Sequence, residues 1–184
     1  MASSYDDGVV YTLASATALP YADNTFDTII LFDVLEHIPG AGPFESLTEI
    51  QRVLKPGGVF HALIPCEGQP GTLFWLLWKL KLGGDLKVRH GDHIQRFERS
   101  SFIRQIEEAG FSIKRVRYSM HYFGQVKDVL TYVAREPWFK REKLDNVFFK
   151  AIMHLLWVIG YAEARFLDTV DNGAAVIHVD AVRR

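Results

Sequence analysis

The 184-residue chain has a single cysteine, Cys66, so no intrachain disulfide can form, and a reducing, cytoplasmic setting is the simpler reading. Net charge is nearly absent: 21 Lys and Arg against 22 Asp and Glu leave −1 at pH 7. That excludes a global basic field of the kind that recruits nucleic acid. Residues 1–8 are small, polar and acidic, and do not read as a secretory signal. The longest apolar stretch, residues 147–162, is interrupted by Lys150 and His154. It falls short of the ~20 apolar residues of a membrane span, and reads as a buried or amphipathic helix that leaves membrane-surface contact open. No Gly-x-Gly-x-Gly run occurs anywhere.

What is present supports a packed domain. Apolar residues make up 48% and aromatics 13%, which argues against disorder. Residues 9–13 form a short β-rich run, and Pro20 with Asp23-Asn24 marks a turn. Residues 26–32 are apolar almost without alternation, as in a strand covered on both faces of a parallel sheet. Phe44, Leu47, Ile50 and Leu54 fall on one helical stripe that begins at Pro43 and stops at Lys55-Pro56-Gly57-Gly58. A second buried strand, 59–64, completes a strand–helix–strand crossover.

Beyond it the pattern predicts a helix over 72–82 and a polar loop over 83–98. A helix capped by Ser100 or Ser101 should run to Ala109, and a strand should follow over 111–119. A helix over 123–135 follows. A long helix within 143–170 should carry the wet stripe Lys143, Asn146, Lys150 and His154. A turn at 171–173 precedes a last strand over 174–182. Strands alternating with helices predict an α/β, three-layer domain. Ligands in such sheets bind outside the carboxyl ends of the strands. That rule brings His37, Trp75, Trp78, His121 and Tyr122 to one rim.

Three segments carry a specific resemblance: Ala18-Leu19-Pro20-Tyr21, leading to Phe26-Asp27; Leu35-Glu36-His37; and Leu54-Lys55-Pro56-Gly57-Gly58. In this order and spacing the chain resembles class I S-adenosylmethionine-dependent methyltransferases of the ubiquinone and menaquinone biosynthesis type. The segment from His93 to Phe97, followed by Glu108-Ala109-Gly110-Phe111, agrees. The resemblance implies a Rossmann-like sheet, mostly parallel with an antiparallel last strand, in the order 3-2-1-4-5-7-6. It implies S-adenosylmethionine as cofactor, with Ser15 and Ala16 beside its adenine and Leu31 and Phe32 at its methionine end. It places His37 as the base that takes a proton from an oxygen or carbon acceptor, a task that suits an imidazole with an ordinary pKa of about 6.5. His37 read without the resemblance caps a loop.

Trp75 and Trp78, with His121 and Tyr122, are candidates for holding a small, partly apolar acceptor; core packing explains the tryptophans equally well. Asp33, Glu36 and His37 are read as solvated or capping groups rather than a metal site, and His90, Asp92 and His93 as a polar hinge. Cys66 reads as ordinary packing. The expected organisation is one partial domain over 1–184, with 66–99 and 121–170 as substrate-cap insertions.

The resemblance also exposes a gap. The glycine-rich turn and the acid that would hold the cofactor's ribose are missing, and no strand leads up to Asp6-Asp7. The chain is therefore expected to lack the first two strands, leaving an apolar sheet edge open to pairing with another copy. The rival to an enzyme is a non-catalytic binding or scaffold protein, or an inactive truncated form. Reading the coding DNA upstream of Met1 should reveal an in-frame Gly-x-Gly-x-Gly segment. An upstream stop codon with good expression of the short form would overturn the truncation.

Overall fold

The computed structural model describes residues 9–82, 86–139 and 146–184. Among them, one sheet holds β1 (Phe26–Phe32), β2 (Leu54–Pro65), β3 (Phe111–Ser119) and β4 (Val176–Arg183) in the order β1-β2-β4-β3. β1 and β2 are parallel, and β4 runs antiparallel to both of its neighbours. Three strands thus share one direction and the last opposes them, as expected. Helix α1 (Gly42–Val53) joins β1 to β2. Helices α2 (Leu73–Lys79), α3 (Leu86–Gly91) and α4 (Arg99–Glu108) precede β3. Helices α5 (Tyr122–Val133) and α6 (Val147–Phe166) precede β4.

The stripe on α1 buries Leu47, Ile50 and Val53 against the sheet, while Phe44 stays outside. The chain passes from α1 straight into β2 at Leu54. Gly58 makes this passage possible. A Cβ there would lie 2.8 Å from Leu54 Cγ and 3.0 Å from the Asp27 carbonyl oxygen, closer than a side chain can approach. The core closes where the Phe60 and Phe111 rings meet at 5.1 Å, over the fully buried Phe102 and Ile106.

One cation fixes the segment ahead of β1. Arg52 donates to both oxygens of Glu49 at 2.9 Å, to Asp23 at 2.8 Å, and to the carbonyls of Leu19 and Tyr21 at 3.0 and 2.8 Å. Glu49 in turn accepts the Leu19 amide at 2.8 Å. The backbone of the Leu-Pro-Tyr turn is therefore held by side chains of α1, which sets where residues 14–17 lie.

Five expectations need correction. Residues 9–13 form no strand; they are exposed, because no neighbouring strand supplies their backbone hydrogen bonds. β1 is not covered on both faces. It is an edge strand paired only with β2, and Ile30 and Phe32 are 63% and 52% exposed. The predicted loop over 83–98 contains helix α3, although residues 83–85 lie outside the described residues, as do Asp6 and Asp7. Helix α4 starts at Arg99 without a serine cap, because the Gln69 side chain, from a distant turn, accepts the Arg99 amide at 3.1 Å. Finally, α6 buries none of its residues. Lys150 and His154 of its predicted wet stripe are exposed, and Lys143 lies outside the described residues.

Hydrogen bonding from Arg52 lowers the Glu49 carboxyl from its usual 4.5 to about 2. A depressed acid stabilises the fold above its unfolded pKa and loses that contribution as pH falls through the folded value. Glu49→Gln is therefore expected to lower stability at neutral pH, with the difference from the parent closing between about pH 4.5 and 2. Urea midpoints measured across that range check this.

Candidate functional site

Two clefts open at the carboxyl end of β1. The first, about 820 Å³, is bordered by Ser15, Ala16, Thr17 and Glu45. The second, about 560 Å³, is bordered by Lys87, His93, Asp128 and Tyr132. Asp33 and His37 line both. The pair is thus a shared wall, at the position where open α/β sheets bind ligands.

Local backbone geometry builds this wall. Asp33 ends β1 in the left-handed region, at φ 50°, a conformation that Asp tolerates better than most residues. A 3-10 turn, Leu35–His37, follows. This turn is laced to the segment 92–95. The Glu36 carbonyl accepts the amides of Ile94 and Gln95, both at 2.9 Å, and the Gln95 side chain donates to the carbonyls of Ile38 and Gly40. His37 Nδ1 lies 3.0 Å from the Asp92 carbonyl. A carbonyl only accepts, so Nδ1 carries the proton and Nε2 keeps its lone pair. His93 obeys the same logic: its Nδ1 donates to Glu67 Oε1 at 2.9 Å. The two imidazoles meet edge to face, 5.0 Å apart.

Behind His93 sits a buried ionic hub that local sequence reading missed. Lys87 Nζ is 2.9 Å from Glu67 and 2.8 Å from Asp128, with all three side chains largely or wholly removed from water. It also lies over the Phe74 ring at 4.5 Å and the Tyr132 ring at 5.1 Å. Burial pushes the Glu67 carboxyl up, but the hydrogen bond from His93 and the charge of Lys87 outweigh it and hold the group below its usual range. Burial likewise opposes the Lys87 ammonium, and the two carboxylates hold its pKa above the ordinary lysine value. The single available signal was that Glu67 follows a strand end; Lys87, Asp128 and Tyr132 carried none.

Glu36 is the opposite case. It is fully buried, neither carboxylate oxygen has a hydrogen-bond partner, and burial raises its pKa. One oxygen lies 3.7 Å from His37 Nε2. Ligand atoms of Glu36, His37 and His93 lie within 4.8 Å of one another, a set that could hold a divalent cation. The predicted His90, Asp92 and His93 hinge disperses. His90 bonds Glu136 at 2.7 Å, Asp92 offers its carbonyl to His37, and His93 turns to Glu67.

The predicted site residues divide. Ser15, Ala16 and His37 line the first cleft. Leu31 packs in the core, and the exposed Phe32 borders neither cleft. None of Trp75, Trp78, His121 and Tyr122 lines either cleft. On α2 it is Phe74 that turns inward, while Trp78 lies under the Arg96 guanidinium at 5.2 Å. His121 is buried, with Nε2 2.8 Å from the Val170 carbonyl. The Tyr122 ring fills the space beside Gly173, 2.5 Å from where a Cβ would stand. Cys66 is buried and its thiol pushed up to about 12 by burial, which suits packing rather than nucleophilic chemistry.

Lys87→Met should cost about 3–5 kcal/mol, because it leaves the partly buried Asp128 without its cation and the buried Glu67 with His93 alone. Adding Glu67→Gln and Asp128→Asn should restore most of that loss. Urea unfolding of the single and triple variants measures both effects.

Comparison with known proteins agrees with this geometry. A family model described as a methyltransferase domain matches residues 2–62. A demethylmenaquinone methyltransferase of Symbiobacterium thermophilum is 33% identical over 60% of this chain and 50% of its own length. A sterol 24-C-methyltransferase of Gibberella zeae is 32% identical over 52% of this chain and 24% of its own. The chain thus spans about half the length, or less, of these relatives. Among solved structures, a SAM-dependent methyltransferase of Thermotoga maritima superposes with TM-score 0.54 at 14% identity, over 95% of this chain and 65% of that one. The [4+2]-cyclase SpnF superposes with TM-score 0.53 at 20% identity, over 94% and 56%. At those identities the structures establish the fold alone, and the cyclase shows that this fold serves more than one reaction. Through its matched segment and its sheet, the chain resembles S-adenosylmethionine-dependent methyltransferases.

Proposed function

We propose that the protein transfers a methyl group from S-adenosylmethionine to an oxygen or carbon of a small, partly apolar acceptor, with the donor in the first cleft and the acceptor in the second. The observation that carries this reading is the wall shared by the two clefts, where Asp33 and His37 face both. In-line displacement needs donor and acceptor on either side of one plane, and alignment supplies much of its rate.

The first cleft suits a cationic donor. Among the described residues its lining includes Asp33 and Glu45 and no Lys or Arg. The Ser15 hydroxyl, 2.8 Å from Thr17 Oγ1, adds a further polar contact. When bound, S-adenosylmethionine supplies an electrophilic methyl group and leaves as a neutral thioether. His37 receives the acceptor's proton on Nε2, the nitrogen left free by the Asp92 carbonyl. The second cleft joins apolar Leu63, Pro65 and Val176 to polar His93, Asp128 and Tyr132, a lining that fits an acceptor with an apolar body and one polar edge. Segments 66–99 and 121–170 supply much of that lining and act as its cap. The lone buried thiol suits a cytoplasmic setting.

Calorimetry on this chain with S-adenosylmethionine and S-adenosylhomocysteine tests the reading. Micromolar binding is expected, and Asp33→Asn should weaken it about tenfold, the equivalent of one lost charge-assisted contact. A folded monomer that binds neither compound would overturn the enzyme reading in favour of a non-catalytic scaffold.

A further inference from the structure

We propose that α6 is a membrane-interface helix that docks the protein flat on an anionic lipid bilayer. The helix spans 20 residues, is apolar enough to stand in lipid, and has none of its residues buried. Phe148, Ile152, Leu155 and Phe166 form one exposed stripe, and the two phenylalanines are each 81% exposed. Val147 and Val158 widen it.

An adjacent side is committed to the protein. Gly160 packs on Gly124 of α5 so closely that a Cβ would lie 3.1 Å from its Cα. Glu163, the single acid of α6, turns inward and accepts the amides of Phe123 and Gly124 at 2.9 and 3.3 Å. A helix held along one side by its own domain lies on a bilayer rather than crossing it.

Three features favour lipid over a protein groove. The exposed apolar surface wraps well beyond the single stripe of anchors that a groove accepts. Its flank carries His154, Trp157, Tyr161 and Arg165, at spacings of three and four residues. The His154, Trp157 and Tyr161 rings stack in sequence at 5.9 and 6.1 Å. Stacked amphipathic aromatics beside cations are the chemistry of the headgroup layer. Lastly, the one carboxylate of α6, Glu163, is engaged inward, so the outward face of the helix itself carries no charge that anionic lipid would repel. The aromatic band continues through Phe149 to Phe139, 5.7 Å away, and on to Trp138, which is 68% exposed.

The inference is read without turnover, so it stands or falls separately from the transfer reaction. The whole chain is mixed with vesicles of phosphatidylcholine, with and without phosphatidylglycerol, and bound protein is separated by flotation. Binding should be strong with phosphatidylglycerol, fall with added salt, and shift tryptophan emission to the blue. Phe148→Glu and Leu155→Glu should each weaken partitioning about tenfold or more. Unchanged circular dichroism shows that the fold survives these variants. A folded protein that stays with the aqueous phase would overturn the proposal. So would a dimer in solution that Leu155→Glu converts to monomer without any effect on vesicles, since a second copy would then cover the face.

Discussion

The ammonium of Lys87 is the constraint on which the site depends. It lies in a largely dry space, where an unpaired charge is expensive, and it is tolerated only because Glu67 and Asp128 stand within 2.9 Å of it. Those two acids come from the end of β2 and from α5, so the one cation ties the sheet to the cap. Glu67 is thereby held ionised, and an ionised Glu67 fixes His93. His93 meets the face or edge of His37, whose own tautomer is set by the Asp92 carbonyl. A chain of contacts thus runs from a buried lysine, through an ionised carboxylate and one imidazole, to the histidine between the two clefts.

Arg52 does the matching work beside the first cleft. Its bonds to Glu49, Asp23 and two carbonyls hold the turn ahead of β1, and the Ser15–Ala16 segment leaves that turn to border the first cleft. Two carboxylates, Glu49 and Glu36, illustrate one rule. Glu49 is surrounded by donors and titrates low. Glu36 is surrounded by nothing that bonds it and titrates high. Solvation lost on burial is either replaced by hydrogen bonds or it appears as a preference for the neutral acid.

The exposed surfaces fit the same picture. Among the described residues β1 is an edge strand with exposed apolar side chains, and α6 offers an apolar face held out by close glycine packing against α5. α5 also carries Asp128 and Tyr132 into the second cleft. A helix seated in the headgroup layer would therefore rest behind the wall of the second cleft.

The sequence by itself determined the strand–helix–strand unit, the three segments that carry the family resemblance, and the place of His37 at a strand end. These are written in local chemistry: unbroken apolar runs, a helical stripe, and the Lys55-Pro56-Gly57-Gly58 stop. Tertiary structure alone decided the rest. Whether residues 9–13 became a strand depended on a neighbour, not on their own β propensity. Whether Trp75 and Trp78 met the acceptor depended on which side of α2 turned inward, and Phe74 took that place. Lys87, Glu67 and Asp128 are separated by 20 residues or more, so no spacing rule joins them. Only burial, by making each charge intolerable without the others, brings them to one point and with them fixes the chemistry of the site.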